Sequence, residues 1–389
     1  MILASSRVRH LAARSILATA RGASEVTAAH RQARKLEHTV SRSMISGAGA
    51  RLQMPLPRLQ VRGNSLPKVS VCIPVYDSAD TVERCIDSVM SQSFRDFECV
   101  VVDNHSSDST LAKVSRFRDG RLKVVRNEFN IGLVGNHNKC VRLAQGELIQ
   151  FVHGDDWLLP HCLERLVPTF EVGNVGLAFA PRRVDTDDDV WKARYGRLHT
   201  PLEPLGPIND GRDIVKMFVL AGAEGNWIGE PTSVMFRRDL LVEVGGFRPQ
   251  LPRLQDIDAW LRLLARSDAA WIDEALSVRW HHSNTYTAQH ETTGAASLDH
   301  LWLLSGLARN TDLAGAVRVR ASGLWTRAIL GNSRAILSGP RALRVTRFRQ
   351  LVAHVRVAGA WSTPEKAFRP DGEQARGLAG RDTESDTST

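Results

Sequence analysis

Two adjacent carboxylates, Asp155 and Asp156, follow an apolar run, Leu148 to Val152, in the stretch FVHGDD, with His153 just ahead of them. A carboxylate is costly to remove from water, so a pair at the end of a buried segment calls for solvent or for a cation. The plainer alternative is a polar Gly-Asp-Asp turn. Asp77, Asp103 and Asn127 stand in the same relation to three earlier apolar runs, each just past the end of one. Side chains of this type, gathered at one place, could hold a metal and a phosphorylated ligand.

The elements that must position them are legible from periodicity. VSVCIPVY (69–76), FECVVVD (97–103), LKVVRN (122–127) and ELIQFVH (147–153) read as strands, the first two and the Leu148–Val152 run of the fourth as buried ones. Between them, Val82, Cys85, Ile86, Val89 and Met90 recur at helical spacing with Asp80 and Thr81 as caps, SSDSTLAKVSRF suits a second helix, and residues 133–145 a third; a further helix is expected from Pro160. Strand–helix alternation at this pitch predicts right-handed crossovers and a largely parallel sheet. Ligands of such sheets lie beyond the carboxyl ends of the strands, so Asp77, Asp103, Asn127 and Asp155 should converge on one edge. No GxxxxGK[ST] is present and no GxGxxG follows the first strand, which argues against a P-loop NTPase or a dinucleotide-dependent dehydrogenase.

Charge divides the 389 residues unevenly: the formal total of +9 comprises about +10 over residues 1–68, −8 over 69–299, +9 over 300–361 and −2 over the tail. An acidic body with basic appendages argues against a nucleic-acid-binding core and for arms that touch an anionic membrane surface. The five cysteines lack framework spacing and are expected to be reduced thiols, which suggests a cytoplasmic protein. No run approaches the ~18 apolar residues of a membrane span. For residues 1–66 three readings stand: a disordered basic arm, a transit segment, or a leader upstream of a start at Met44 or Met54.

VSVCIPVYDSADTVERCIDSVMSQSFRDFECVVVDNHSSDST, followed by NIGLVGNHNKCVRLAQGELIQFVHGDDWLLP, resembles the opening half of family-2 glycosyltransferases of the GT-A fold. The ordered features are P-x-Y-N/D at a strand end, a Q-S/T-aromatic turn, D-d-g-S-t-D-g-T, N-x-G, A-x-G-E and D-D-x-x-x-P, and the likeness extends over about 69–285. It implies a nucleotide-diphosphate sugar donor and a divalent cation, Mg²⁺ or Mn²⁺, that offsets charge on the leaving diphosphate. Carried over residue by residue, Pro74, Val75, Tyr76 and Asp77 would wall the base and ribose, and Asp103 would accept a hydrogen bond from the base. Asn130 and Asn138 would lie along the donor. Asp155 would be the direct metal ligand, with Asp156 behind it or on the donor sugar. The family's D-x-D is here His153-Gly154-Asp155, so His153 either replaces the first acid or contacts the sugar.

PTSVMFRRDLLVEVGGF (231–247) resembles the family's strand–helix–GGF element, with Gly245 and Gly246 allowing a close backbone approach by the acceptor. LQDIDAWLRLL (254–264) resembles the segment whose acid deprotonates the acceptor hydroxyl in inverting members, and Asp256 is the aligned base. Asp258 is the less favoured acid, and Trp260 falls on Asp256's helical face, toward the acceptor. VRWHHSNT (278–285) resembles a strand end whose histidine completes the metal site; register selects His281 over His282.

The expectation is thus an α/β protein of GT-A type, a largely parallel sheet flanked by helices with a helical C-terminal extension. Its segments are a basic arm (1–66), the GT-A domain (67–292), a basic helical extension (293–361) broken at Pro340, and a disordered tail (362–389). The extension reads equally as an interfacial helix on anionic lipid or as a helical cap with its arginines in water. The function implied is metal-assisted, inverting transfer of a hexose-type sugar to a saccharide or lipid-linked acceptor at the inner face of a membrane. The alternatives are a noncatalytic nucleotide-sugar-binding paralogue and a sugar nucleotidyltransferase, the latter disfavoured because PVYDSADT lacks a Gly-rich basic loop.

Overall fold

The computed structural model describes residues 66–281, 295–338 and 352. The basic arm apart from Leu66, His282, Pro340, most of the second half of the helical extension and the tail lie outside the described residues.

The first half is built as its periodicity dictates. Strand β1 (Val69–Val75) is buried along its whole length. Helix α1 (Val82–Met90) turns Val82, Cys85, Ile86 and Val89 inward, one stripe at i, i+3, i+4 and i+7. Next in the chain are β2 (Phe97–Asp103), α2 (Thr110–Val114), β3 (Leu122–Arg126), α3 (Gly132–Leu143) and β4 (Leu148–Phe151). The four strands are parallel in the order β3-β2-β1-β4, with Val75 opposite Asp103 and Asp103 opposite Arg126. Their carboxyl ends therefore share one edge, as the sequence implies.

Beyond β4 come β5 (Trp157–Leu158), α4 (Cys162–Leu166), β6 (Val175–Phe179), β7 (Arg182–Asp185), α5 (Asp189–Tyr195), β8 (Ile208–Asn209), α6 (Gly211–Leu220) and β9 (Val234–Arg237). The chain continues through α7 (Arg238–Glu243), α8 (Gln255–Leu264), β10 (Asp268–Trp271), β11 (Ser277–Trp280), α9 (Ala295–Arg309) and α10 (Gly315–Ser338). The main sheet has eight strands in the order β3-β2-β1-β4-β9-β6-β10-β8, and β5, β11 and β7 form a second, small sheet. β9 runs antiparallel to both β4 and β6.

Two apolar layers cover the main sheet, and successive residues alternate between them: Cys99 and Val101 of β2 join one layer, Val100 and Val102 the other. α1 and α4 lie on the first face; α3, α6, α8 and α9 lie on the second. The five cysteines are all buried and free. Helices α9 and α10 are part of this body: Trp302, Leu303, Leu304, Leu307, Leu313, Val317 and Ala321 join the second layer. In the described part the extension is therefore a packed cap, with Arg320, Arg327 and Arg334 outward.

Helix α8 is fixed from its buried side by charge. The Asp258 carboxylate is almost completely buried between Arg248 (2.9 Å) and Arg262 (2.7 Å). Arg262 also donates to the carbonyls of Val244 and Gly246, both at 2.7 Å. It thereby holds a turn in which Gly245 and Gly246 have φ of 90° and 69°, a region that favours glycine. Asp258→Ala deprives the largely buried Arg262 of its carboxylate partner and is expected to cost about 3–5 kcal/mol, read as a lower urea-unfolding midpoint.

Candidate active site

The chain leaves β4 through His153, Gly154, Asp155 and Asp156, closing a turn in which Asp156 N donates to the His153 carbonyl at 3.0 Å. Thr81 Oγ1 donates to the Gly154 carbonyl at 2.6 Å and ties the turn to the head of α1. Thr232 reaches across from the segment before β9: its hydroxyl donates to Asp156 Oδ2 (2.7 Å) and accepts from His153 N (3.2 Å). The other Asp156 oxygen accepts from Trp280 N at 3.1 Å. Burial, then the charge of Asp155, pushes the Asp156 carboxyl up to about 8. With both oxygens engaged and little surface, Asp156 braces the turn.

His153, Asp155 and Asp156 offer ligand atoms that all lie within 4.8 Å of one another. The donor set fits a small divalent cation: carboxylate oxygens and one imidazole nitrogen, with negative charge crowded at a buried edge. His281 is not in this group. Its ring stacks on Trp191 with centroids 4.0 Å apart, and its backbone N donates to the Asp185 carbonyl at 2.9 Å.

On the side expected to take the nucleotide, Asp103 is fully buried at the end of β2. One of its oxygens accepts from Ser106 N (3.2 Å) and Ser106 Oγ; the other faces Arg126 Nε at 3.3 Å. Tyr76 is half exposed, as a stacking surface requires. Asp77 adopts φ 45° and accepts from Ser107 N at 2.7 Å, which closes the 104–108 loop over the strand end. Pro74 and Val75 are buried inside β1, so of the expected wall only Tyr76 and Asp77 offer surface. Asn130 is exposed, and its carbonyl oxygen accepts from Asn104 Nδ2 and Gly132 N, both at 2.8 Å. Asn138 is buried and grips the backbone N and O of Phe247 at 2.9 and 2.8 Å. It ties α3 to the GGF turn and has no face for a donor.

On the opposite side, Asp256 opens α8. It accepts from Asn226 Nδ2 (2.9 Å) and from Ile257 N (2.8 Å). Burial raises its carboxyl to about 6 despite the Ile257 hydrogen bond, and the nearby Glu230 charge adds to the rise. Burial would also raise Glu230, yet Arg279 (2.6 Å) and Arg182 (2.7 Å) outweigh it and bring that carboxyl down to about 2. Arg279 senses Glu230, Asp156 and Asp155, while Asp256 senses Glu230 and Arg279. The acids after β4 and the acid of α8 therefore share one electrostatic neighbourhood. Trp260 has no exposed surface, and its indole donates to the Gly229 carbonyl at 3.0 Å. It supports the wall beside Asp256 and cannot itself touch an acceptor.

Asn226, Glu230, Thr232, Arg279 and His137 belong to this site although motif reading does not single them out. GEPTS, directly ahead of an apolar strand, is the one local signal for Glu230 and Thr232, and Arg279 lies within VRWHHSNT; Asn226 and His137 are recruited by tertiary packing.

Acids at the carboxyl edge of parallel strands, with a further acid on a later helix, are the arrangement that the GT-A resemblance implies. Residues 70–245 match the profile of Glycosyl transferase family 2, and the chain belongs to that family. It is 46% identical over 259 residues to Uncharacterized protein MT1568 of Mycobacterium tuberculosis, covering 67% of this chain and 81% of that one. It is 30% identical over 122 residues to WfgD of Escherichia coli, described as a UDP-Glc:alpha-D-GlcNAc-diphosphoundecaprenol beta-1,3-glucosyltransferase, covering 31% of this chain and 48% of that protein. Among solved structures, TarS residues 1–349 of S. aureus in complex with UDP-GlcNAc superposes with a TM-score of 0.58 at 19% identity, covering 75% of this chain and 81% of that one. That likeness speaks to the fold. The protein is a glycosyltransferase.

Thr232→Val deletes the hydroxyl that joins His153 N to Asp156 and leaves a buried carboxylate oxygen short of a donor. A loss of about 1–3 kcal/mol is expected, with Thr232→Ser close to wild type, both measured by chemical denaturation.

Proposed function

We propose that the protein transfers a sugar from a uridine-diphosphate sugar to a hydroxyl of a lipid-linked, diphosphate-bearing saccharide, with inversion, using Asp256 as general base. The observation that carries this reading is that Asp155 at the strand edge and Asp256 on α8, whose carboxyl burial lifts to about 6, share Arg279 as a charged neighbour. A base near that value is ionised at neutral pH and retains enough proton affinity to assist an alcohol.

In this reading Tyr76 and Asp103 receive the base of the donor nucleotide. Asp256 takes the proton of the acceptor hydroxyl as that oxygen bonds to the anomeric carbon. The bond from that carbon to the diphosphate oxygen breaks on the opposite face, and its electron pair leaves with the nucleotide. Asn226 holds Asp256 in orientation through Nδ2, and Glu230 keeps Arg279 beside the acids. His153 and Asp155, with Asp156 bracing them, would hold a divalent cation, Mg²⁺ or Mn²⁺, whose chemistry is to offset negative charge building on the leaving diphosphate. The donor and acceptor classes rest on the likeness to WfgD, a partial one in both chains. Among the described residues no helix is long and apolar enough to cross a membrane. Contact with a lipid-borne acceptor would then be peripheral, through exposed arginines such as Arg320, Arg327 and Arg334 of α10, and flotation with anionic against neutral vesicles tests it.

Calorimetric titration with UDP, GDP and dTDP, with and without Mn²⁺, tests the donor site. UDP binding that requires Mn²⁺ and disappears in Asp155→Ala is expected; binding unaffected by metal or by that substitution would sink the metal reading. Asp256→Asn should keep UDP affinity and lower kcat by about 10²–10⁴. The sign of the pH effect comes from the base having to be deprotonated: kcat/KM should climb about tenfold per pH unit up to roughly pH 6 and level off above it. A profile flat from pH 4.5 to 8 would remove Asp256 from that role.

A further inference from the structure

We propose that His137 is a positioning residue that fixes the tautomer of His153, so that His153 turns the lone pair of Nδ1 toward a divalent cation shared with Asp155. This role rests on the metal reading of the site and extends it to a residue outside the motifs.

His137 lies on α3 with no exposed surface. Its imidazole is stacked on Phe151 (centroids 5.0 Å, 29°) and meets Phe247 edge-on (5.7 Å, 74°). A charged imidazolium in that apolar slot would lack both water and a counter-ion, so the ring is neutral. A neutral ring has one N–H and one lone pair, and its neighbours decide which is which. Nδ1 lies 2.9 Å from the Leu133 carbonyl oxygen, one helical turn back. A carbonyl only accepts, so Nδ1 carries the hydrogen and Nε2 the lone pair.

That lone pair faces His153 Nε2 at 3.2 Å. Two lone pairs at that distance repel, so His153 Nε2 must carry a hydrogen and donate it. His153 is then left with its acceptor at Nδ1, the atom directed at the acids, 3.8 Å from Asp156 Oδ2. That separation is too long for a direct hydrogen bond, so Asp156 Oδ2, which takes the Thr232 hydroxyl, leaves the Nδ1 lone pair available to a cation beside Asp155. The chain Leu133 C=O, His137, His153 thus has a single proton order consistent with both contacts. Metal-bound histidines characteristically donate their other ring N–H to a partner that orients them, and His137 is that partner here.

The consequence is a site of mixed character. Where the family pattern has the first carboxylate of D-x-D, this chain presents a nitrogen, oriented from behind by a second, buried histidine. Imidazole nitrogen suits Mn²⁺ and the later first-row ions better than Mg²⁺, which favours oxygen. The exchange also removes one negative charge from an edge where burial already pushes Asp156 up.

The test uses the full-length protein. Long-range ¹H–¹⁵N spectra of ¹⁵N-histidine-labelled wild type, with His153 assigned by the signal missing from His153→Asp, should show His153 protonated at Nε2 and bare at Nδ1. Mn²⁺ and Mg²⁺ are then titrated in the presence of UDP. His137→Phe keeps the ring volume among Phe151 and Phe247 and should weaken Mn²⁺ binding about 10–100-fold, with a smaller change for Mg²⁺. In the His153→Asp background, where no tautomer remains to be fixed, the same change should have no effect on Mn²⁺. His153 found protonated at Nδ1, or His137→Phe binding Mn²⁺ as wild type does, overturns the proposal. If His137→Phe does not fold, the wild-type spectrum decides alone. Failure of wild type to take up any cation overturns the metal reading first and this one with it; a wrong tautomer in a protein that binds Mn²⁺ overturns this one only.

Discussion

The site depends on one feature of strand order: β9 enters the sheet antiparallel, between β4 and β6. A parallel strand brings its last residues to the ligand edge, and an antiparallel one brings its first. Because Gln150 pairs with Met235, the residues just ahead of β9 arrive beside those just after β4. Thr232 thereby meets Asp156 and His153, although 76 and 79 residues of chain separate them. Had β9 run parallel, the same segment would lie at the far edge and the acids would lack their brace.

Charge at this edge is divided between fixed and available groups. Glu230 is engaged by Arg182 and Arg279, and it keeps a guanidinium next to Asp155 and Asp156. Asp156 is engaged by Thr232 and the Trp280 backbone. The same burial that would make an isolated carboxylate costly is used differently at Asp256, where two hydrogen bonds only partly offset it and the group stays basic. Glu230, held by ion pairs, is brought down to about 2, whereas Asp156 and Asp256, held by neutral donors, are pushed up to about 8 and about 6.

Much of this was legible in the chain itself. The four parallel strands and their shared edge are dictated by alternation and β-branched runs, because those signals are local. The place of Asp155 just past the fourth strand is local in the same way, whereas Asp256 is identified only through the family resemblance. Periodicity alone could not assign the fate of polar residues inside helices. Asn138 and Trp260 carry the right types at the right spacing for ligand contact, yet both are buried and bound to backbone, Asn138 to Phe247 and Trp260 to Gly229. Their partners are 109 and 31 residues away, and a local pattern does not contain that distance. Charge likewise drew a boundary between an acidic body and a basic extension. Packing does not respect it: the leucines between those arginines complete the second apolar layer, and His300 and Asp299 of α9 hold the Ala223 carbonyl and Arg253 N (2.9 and 3.0 Å). The extension thus steadies the loop ahead of Asn226 and the one ahead of α8.

Asp256 and Asp258 show the same division of roles in its smallest form. They are one residue type, two positions apart on one helix, and equally acidic in isolation. Two residues turn an α-helix through about 200°, so the first faces the ligand edge and the second faces the turn held by Arg262. Asp258 meets two guanidinium groups and serves as a tether. Asp256 meets an asparagine amide and a backbone N–H, with a like charge nearby, and is kept close to the protonation range of a base. Role here is decided by which side of one helix a carboxylate leaves from, and therefore by the same sheet order that fixes where α8 begins.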